Sequence, residues 1–315
     1  MKSDLNIRTL NPFQKEAART FFHYVFNNEN YFENYKKLVN NLSQEQKKFI
    51  DLTIARALHL YSTQYELTCD FTPEELCGQL DITKNFENKI IKKEGFFQYK
   101  HYKLPTKLFE SSIFYYKMGL ENIKNREMLA GTDFIDAGAH YGDSFLILNE
   151  VLNPGKVHCF EPVQKCFNSL LKTIEMNDLK EKAVPIKQGL GDKQEAMEIC
   201  VSGAASSLIS SKVNQTTGKE LIEITTIDNY VEKNNLNIGL IKIDVEGFDM
   251  EVLRGAEKTV KQFKPVVIGS IYHNAPQFFE FKPLLESWNL GYKFHFEKLN
   301  PNRFLNEINV LCEVY

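Results

Sequence analysis

The stretch FIDAGAHYGDS, residues 134–144, decides how this sequence is read. An apolar run ends in Asp136, glycines follow at 138 and 142, and a helix-compatible segment begins. Glycine in such a turn takes backbone conformations that other residues resist and lets a ligand approach the main chain. Further strand candidates at 156–160, 184–188, 239–244 and 266–271 join the first one at 133–136. Helical patterns at 144–152, 163–177, 249–262 and 277–288 lie between or after them. Alternation of this kind predicts a mostly parallel sheet with helices on both faces. Two runs, EAMEICV (195–201) and ELIEITT (220–226), interrupt it after the third strand. The final runs, GYKFHFEK (291–298) and EINVLCEVY (307–315), are joined by a loop containing Asn300-Pro301-Asn302. That loop is too short for a crossover helix, so the two strands should pair antiparallel.

This layout, a seven-stranded α/β sheet of Rossmann-like type closed by an antiparallel hairpin, is that of the class I methyltransferases. The expected division is a mainly helical region at 1–127 and the sheet domain at 128–315. Ser43 and Gln46 form an S-x-x-Q capping box, with Ile50, Ile54, Ala57, Leu58 and Tyr61 following at helical spacing. Thr72-Pro73 with Glu75 marks another helix start. The segment KKEGFFQYKHYKLPTK (92–107) alternates lysines with aromatics and reads as a short hairpin or extended arm, followed by a helix over about 107–127. Such an arm grips phosphate or single-stranded nucleic acid, or else packs one aromatic face and solvates one lysine face; the second reading is the commoner.

Composition sets outer bounds. The chain has 315 residues, a net charge of -3 and a globular balance of apolar and charged residues. A polyanion is therefore not the expected main partner, and nucleic acid is disfavoured. No apolar run reaches the roughly 20 residues that span a bilayer, and MKSDLNIRTL lacks the apolar core of a signal peptide. The six cysteines show no CxxC pairing and read as reduced core residues of a cytoplasmic protein. Oligomeric state is left open; a homo-oligomer is compatible.

The turn reads D-x-G-x-x-x-G, whereas a dinucleotide fingerprint needs G-x-G-x-x-G. An acid at the strand end suits a ligand with a positive amino group and no pyrophosphate, and S-adenosylmethionine is such a ligand. Nineteen residues beyond Gly142 a second strand ends in Glu161, placed to hold ribose hydroxyls. Alone, Glu161 reads as a helix-capping acid; with Asp136, Gly138 and Gly142 it forms a constellation. The expected cofactor site is completed by His140, Ser144, Gln188 and Asp192, the last two flanking the turn after the third strand where adenine contacts are usual.

The segments FIDAGAHYGDS, VHCFEPVQKCF, IKIDVEGFDMEVLRGA (241–256) and KPVVIGSIYH (264–273) resemble the FkbM family of methyltransferases. The resemblance covers about 130–315, and IDVEGFDMEVLRGA is its most distinctive motif. It implies S-adenosylmethionine as donor and methyl transfer to oxygen, with sugars or natural-product hydroxyls as acceptors. Many members carry an acid at the end of the fifth strand, where this sequence has Ser270-Ile271-Tyr272-His273. Ser206, Ser207 and Asp228 match family positions and are expected to shape the acceptor pocket.

A sugar hydroxyl is a poor nucleophile until its proton is removed or a cation polarises it. Candidates lie at the C-terminal ends of the strands. Asp244 and Glu246 end the fourth strand and Asp249 opens the next helix; they serve as base, substrate clamp or, if a divalent metal is bound, its ligands. Asp249 reads equally as a helix cap. His273 and His140 are further candidate bases, and His158 reads as a core histidine. The acceptor is expected to be a sugar, a nucleotide-linked sugar or a related small metabolite. Competing readings are a catalytically inactive S-adenosylmethionine-binding scaffold, a nicotinamide dehydrogenase and, as a minor one, an RNA methylase.

Overall fold

The computed structural model describes residues 12–65, 71–202, 205–207 and 218–315. Four helices lead: α1 (Pro12–Asn27), α2 (Tyr31–Val39), α3 (Gln44–Ser62) and α4 (Pro73–Asn85). The Thr72 capping box forms in full, with Thr72 and Glu75 exchanging side-chain-to-backbone bonds of 3.2 and 2.9 Å. At α3 only half of the expected box forms. Ser43 accepts from the Gln46 amide, but the Gln46 side chain reaches across to the backbone of Phe296 instead. A tertiary partner displaces the local one there.

Three short antiparallel strands follow: β1 (Ile91–Lys92), β2 (Phe97–Tyr99) and β3 (Tyr102–Leu104). Tyr99 and Tyr102 are buried against Phe86, Phe109 and Phe114, while Lys100 and Lys103 project over Tyr99 and Phe96. The lysine-aromatic stretch is thus a packed hairpin with a solvated cationic face. The helix expected over 107–127 breaks up. A single turn, α5 (Ser111–Phe114), gives way to 3₁₀ segments at Lys117–Asn122 and Arg126–Leu129. Met118 and Gly119 adopt left-handed backbone angles (φ 54° and 71°), which interrupts the helical hydrogen-bond ladder. The Glu297 carboxyl lies where a Cβ on Gly119 would stand, so a side chain there would have to displace it.

From Asp133 the alternation holds: β4 (Asp133–Ala137), α6 (Asp143–Leu152), β5 (Val157–Phe160), α7 (Gln164–Met176) and β6 (Ala183–Ile186). A side sheet is then formed by β7 (Gly189–Leu190), β8 (Glu195–Ser202), β9 (Ala205–Ser207) and β10 (Gly218–Thr225), in the order β7-β10-β8-β9. The chain continues through α8 (Ile227–Asn234), β11 (Ile238–Ile243), α9 (Asp249–Arg254), α10 (Glu257–Phe263), β12 (Val266–Ser270), α11 (Ala275–Ser287), β13 (Lys293–Lys298) and β14 (Ile308–Glu313). The helix expected over 249–262 is split into α9 and α10 at Gly255, which packs against the Gly191 carbonyl.

The seven-stranded sheet runs β13-β14-β12-β11-β4-β5-β6, parallel except where β14 pairs antiparallel with β12 and β13. Strand order reverses direction between β4 and β11, and open α/β sheets bind ligands beside such a switch point. Helices α1 to α3 share one apolar core with α11 and the terminal strands. Tyr24 stacks on Phe279 at 4.6 Å, and Phe21 packs on Phe278. Each fully buried side chain of this size stabilises by about 1.5–3 kcal/mol. Among the described cysteines Cys159, Cys166 and Cys312 are buried, but Cys77 is exposed, which corrects the core reading for that residue. Cys69 lies outside the described residues, and so does the side chain of Cys200. No described helix is long and apolar enough to cross a membrane.

Candidate functional site

At the C-terminal ends of β4 and β11 a cavity of about 380 Å³ opens, a size suited to a small ligand. Its floor depends on a close approach of two strand ends. The Asp244 amide donates to the Ala137 carbonyl at 3.1 Å, and Gly138 (φ 79°) lies so near that a Cβ would sit 1.9 Å from the Asp244 carbonyl oxygen. Only glycine meets both conditions.

Asp136 does not face the cavity. It is completely buried, accepts from the Ser144 hydroxyl at 2.6 Å and lies 3.1 Å from Lys242 Nζ. The expectation that it meets a ligand's amino group is corrected: an internal cation already occupies it, and Ser144 is spent in holding it. Lys242, which the sequence reading passed over, also donates to the Gly138 carbonyl at 2.8 Å and shows its flank to the cavity. Burial would lower its pKa, but Asp136 and Asp244 hold it above the ordinary lysine value. Its position within IKID was the available signal, masked because a lone lysine in a strand reads as an edge residue. Asp143 was missed likewise; it opens α6 and lines the cavity, its carboxyl pushed up by burial.

Glu161 lines the cavity. Its Oε2 accepts from the His140 amide at 3.0 Å and its Oε1 from the Val163 amide at 2.8 Å. Burial lifts its carboxyl to about 8. Beside it, Val163, Cys166, Ile199 and Ile222 make an apolar slot, and Gln188 lines the same end. His140 (φ 46°) stacks on Tyr141 and borders the cavity. Gly142 stands behind it as the left-handed N-cap of α6. Asp192 is exposed and does not border the cavity, a correction that follows from the chain turning away after Gly191. Asp228 caps α10 through Thr259 and Lys258 and is not among the cavity residues. The side chains of Ser206 and Ser207 lie outside the described residues. His158 is a core residue, bonded to Tyr230.

The other end is acidic. Asp244, Glu246, Glu110 and Glu307 line it together with Phe13 and Tyr272. Enclosure lifts Glu246 to about 7, with Asp244 and Asp249 adding to the effect and His273 opposing it. Enclosure also lifts Glu307 to about 7, while Glu110 stands at the exposed mouth of the cavity. His273 lies behind this wall, with Asp244 Oδ1 at 3.4 Å, Glu246 Oε2 at 3.7 Å and Asp249 Oδ2 at 3.5 Å. Burial opposes its protonation, but these three acids prevail and raise it to about 10. Asp249 is fully buried and accepts from the Val245 and Gly247 amides and from Gln277. It pins the turn in which Glu246 takes a left-handed backbone (φ 55°), a conformation that costs energy outside glycine.

A sheet with this order, a glycine-floored cavity at its switch point and a buried acid after the second strand define a class I methyltransferase fold. The Methyltransferase FkbM domain matches residues 136–294, half of the chain, and the chain belongs to that family. The crystal structure of methyltransferase FkbM from Methylobacillus flagellatus KT is similar at a TM-score of 0.56 and 15% identity, covering 93% of this chain. This chain spans 60% of the length of that one. An rRNA methylase from Streptococcus thermophilus (TM-score 0.38, 13% identity, 60% of this chain, 90% of that one) also resembles it. So does M. jannaschii TYW2 in complex with AdoMet (TM-score 0.35, 15% identity, 72% of this chain, 86% of that one). No curated protein matches the chain.

Proposed function

We propose that this chain transfers a methyl group from S-adenosylmethionine to a hydroxyl oxygen of a small, uncharged or cationic acceptor such as a sugar. The observation that carries the reading is one cavity with two chemically different ends. Glu161 and the apolar slot formed by Val163, Cys166, Ile199 and Ile222 suit a nucleoside, and the carboxylates of Asp244, Glu246 and Glu307 suit an acceptor. The lining is compatible with the cofactor: Glu161 stands beside the apolar slot, where a ribose would lie, and Asp143 is on the same wall. When bound, S-adenosylmethionine supplies a methyl group already activated by sulfonium, so the protein's task is alignment and proton removal.

Glu246 and Glu307, both near 7, are matched to accepting a hydroxyl proton at neutral pH. Asp244 orients the acceptor, and His140 walls the donor side. The acidic lining disfavours a nucleotide-linked sugar without a cation to bridge it. The lysine on the wall, Lys242, is committed to Asp136. Region 1–127 acts as an acceptor wall, since Phe13, Leu108, Glu110 and Ile113 line the cavity.

Labelled S-adenosylmethionine offered with a panel of neutral sugars, amino sugars and nucleotide sugars tests the reading. Methyl incorporation into a hydroxyl of one of the first two classes is expected. Absence of S-adenosylmethionine binding by calorimetry overturns it, and binding without turnover on any acceptor favours the inactive-scaffold alternative. The nicotinamide alternative fits poorly with the antiparallel pairing of β13 and β14.

A further inference from the structure

We propose that the acceptor end holds one divalent transition-metal cation, bound by Nε2 of His273 and the carboxylates of Asp244 and Glu246, with Asp249 orienting the imidazole. His273 is the starting point. Its residue is only 6% exposed, and neither ring nitrogen makes a hydrogen bond. Its carboxylate neighbours stand at 3.4 to 3.7 Å, longer than an ordinary hydrogen bond, so the buried ring lacks a close partner. Nε2 points at Asp244 Oδ1 (3.4 Å) and Glu246 Oε2 (3.7 Å). Two ligands each about 2.1 Å from an ion lie about 3.0 to 3.4 Å apart for octahedral or tetrahedral angles. His273 Nε2 thus stands at ligand spacing from each carboxylate in turn, and the Glu246 side chain, which is open to the cavity, must swing toward Asp244 to complete the set.

The sequence pointed to Asp249 as the third ligand, and the structure gives it a different part. Candidate ligand atoms of Asp244, Asp249 and His273 do lie within 4.8 Å of one another. Both Asp249 oxygens, however, are engaged by Val245, Gly247 and Gln277. Its Oδ2 sits 3.5 Å from His273 Nδ1, the side of the ring opposite Nε2. A carboxylate behind a histidine favours the tautomer with its proton on Nδ1 and directs the Nε2 lone pair outward, as in metal sites generally. Those same bonds to Val245 and Gly247 hold Glu246 in its left-handed turn.

Charge supports the assignment. Asp244 and Glu246 face this end together, and the lysine on the wall, Lys242, is paired with Asp136. One imidazole and two carboxylates suit Mn²⁺, Fe²⁺ or Zn²⁺ better than Mg²⁺, which prefers an all-oxygen shell. The open positions are available to an acceptor oxygen, whose pKa the cation lowers, leaving Glu307 to take the proton. That role rests on the proposed methyl transfer; the cation site does not.

Chelator-treated protein is titrated with Mn²⁺, followed by the electron paramagnetic resonance of free Mn²⁺, and with Zn²⁺ by calorimetry. One site per chain is expected for at least one of the two ions, with a rise in melting temperature. Glu246→Gln and His273→Gln, checked for folding by circular dichroism, should each weaken binding at least tenfold. Should His273→Gln fail to fold, Glu246→Gln, at a side chain open to the cavity, decides. The proposal falls if neither ion binds stoichiometrically, or if folded variants bind as wild type does. S-adenosylmethionine binding is measured on the same samples. Cofactor binding without cation binding sinks this inference alone, and the reverse sinks the methyl-transfer reading alone.

Discussion

Lys242 Nζ and Asp136 Oδ1 form an ion pair of 3.1 Å beneath the cavity floor, tying the last turn of β11 to the end of β4. Asp136 is completely buried and Lys242 nearly so. Removing one partner of such a pair strands the other charge in the interior, at a cost of about 3–5 kcal/mol. Lys242→Met should therefore destabilise by that order in urea unfolding. Lys242→Met combined with Asp136→Leu should recover part of the loss. A single variant within 1 kcal/mol of wild type would contradict the pair's structural role.

Gly138→Ala tests the floor itself. The substitution meets a positive φ and a Cβ position 1.9 Å from the Asp244 carbonyl oxygen, so β4 and β11 must separate. Strain of about 1–3 kcal/mol or more is expected, with cofactor affinity falling at least tenfold. Differential scanning fluorimetry and calorimetric titration with S-adenosylmethionine read the two effects. Unchanged values in both would show that the strand ends do not meet as described.

Glu161 sets a pH dependence. Burial raises its carboxyl from the ordinary 4.5 to about 8 in the folded chain. The native state then holds a proton that the unfolded chain has released, so this group's contribution to stability declines as pH rises from about 4.5 through about 8. Below 4.5 both states are protonated, and above 8 the full penalty is present. Glu161→Gln should flatten that slope in chemical unfolding while weakening S-adenosylmethionine binding about tenfold, since the ribose hydroxyls exchange a carboxyl for an amide partner. A slope unchanged in Glu161→Gln would remove Glu161 as its source.

The opposite sign is expected at Glu75. Burial alone would raise its pKa, but hydrogen bonds from Arg56 and Lys298 overcome this and hold it at about 2. Its stabilising effect is present above the unfolded value near 4.5 and is lost as pH falls toward 2. The cluster joins α3 and α4 to β13. Glu75→Gln should lower stability at pH 7 and narrow the gap to wild type at pH 3, as followed by melting temperature across pH. An equal gap at both values would contradict the shift.

Periodicity and punctuation made most of the fold legible. The strands of the parallel sheet, the antiparallel ending and the Thr72 cap all depend on short-range pattern, and each appears within a few residues of its expected bounds. Failures arose where a distant contact outvoted local preference. The run over 107–127 is apolar and helix-compatible, yet the left-handed pair Met118-Gly119, backed against Glu297, turns it aside. Gln46 has the right spacing for a cap, yet Phe296 lies within its reach.

By itself the sequence determined which residues stand at the tips of strands, because alternation and glycine spacing are properties of neighbours along the chain. Gly138, Glu161, Asp244 and Glu246 on the cavity wall follow from that alone. Only the tertiary structure decided what each charge faces. Asp136 is taken by Lys242, Asp249 by three donors, and His273 is set among acids from a strand end and an adjoining turn. Charge pairing falls steeply with distance and with exposure to water, and both are fixed by how β4, β11 and β12 come together rather than by the order of residues along any one of them.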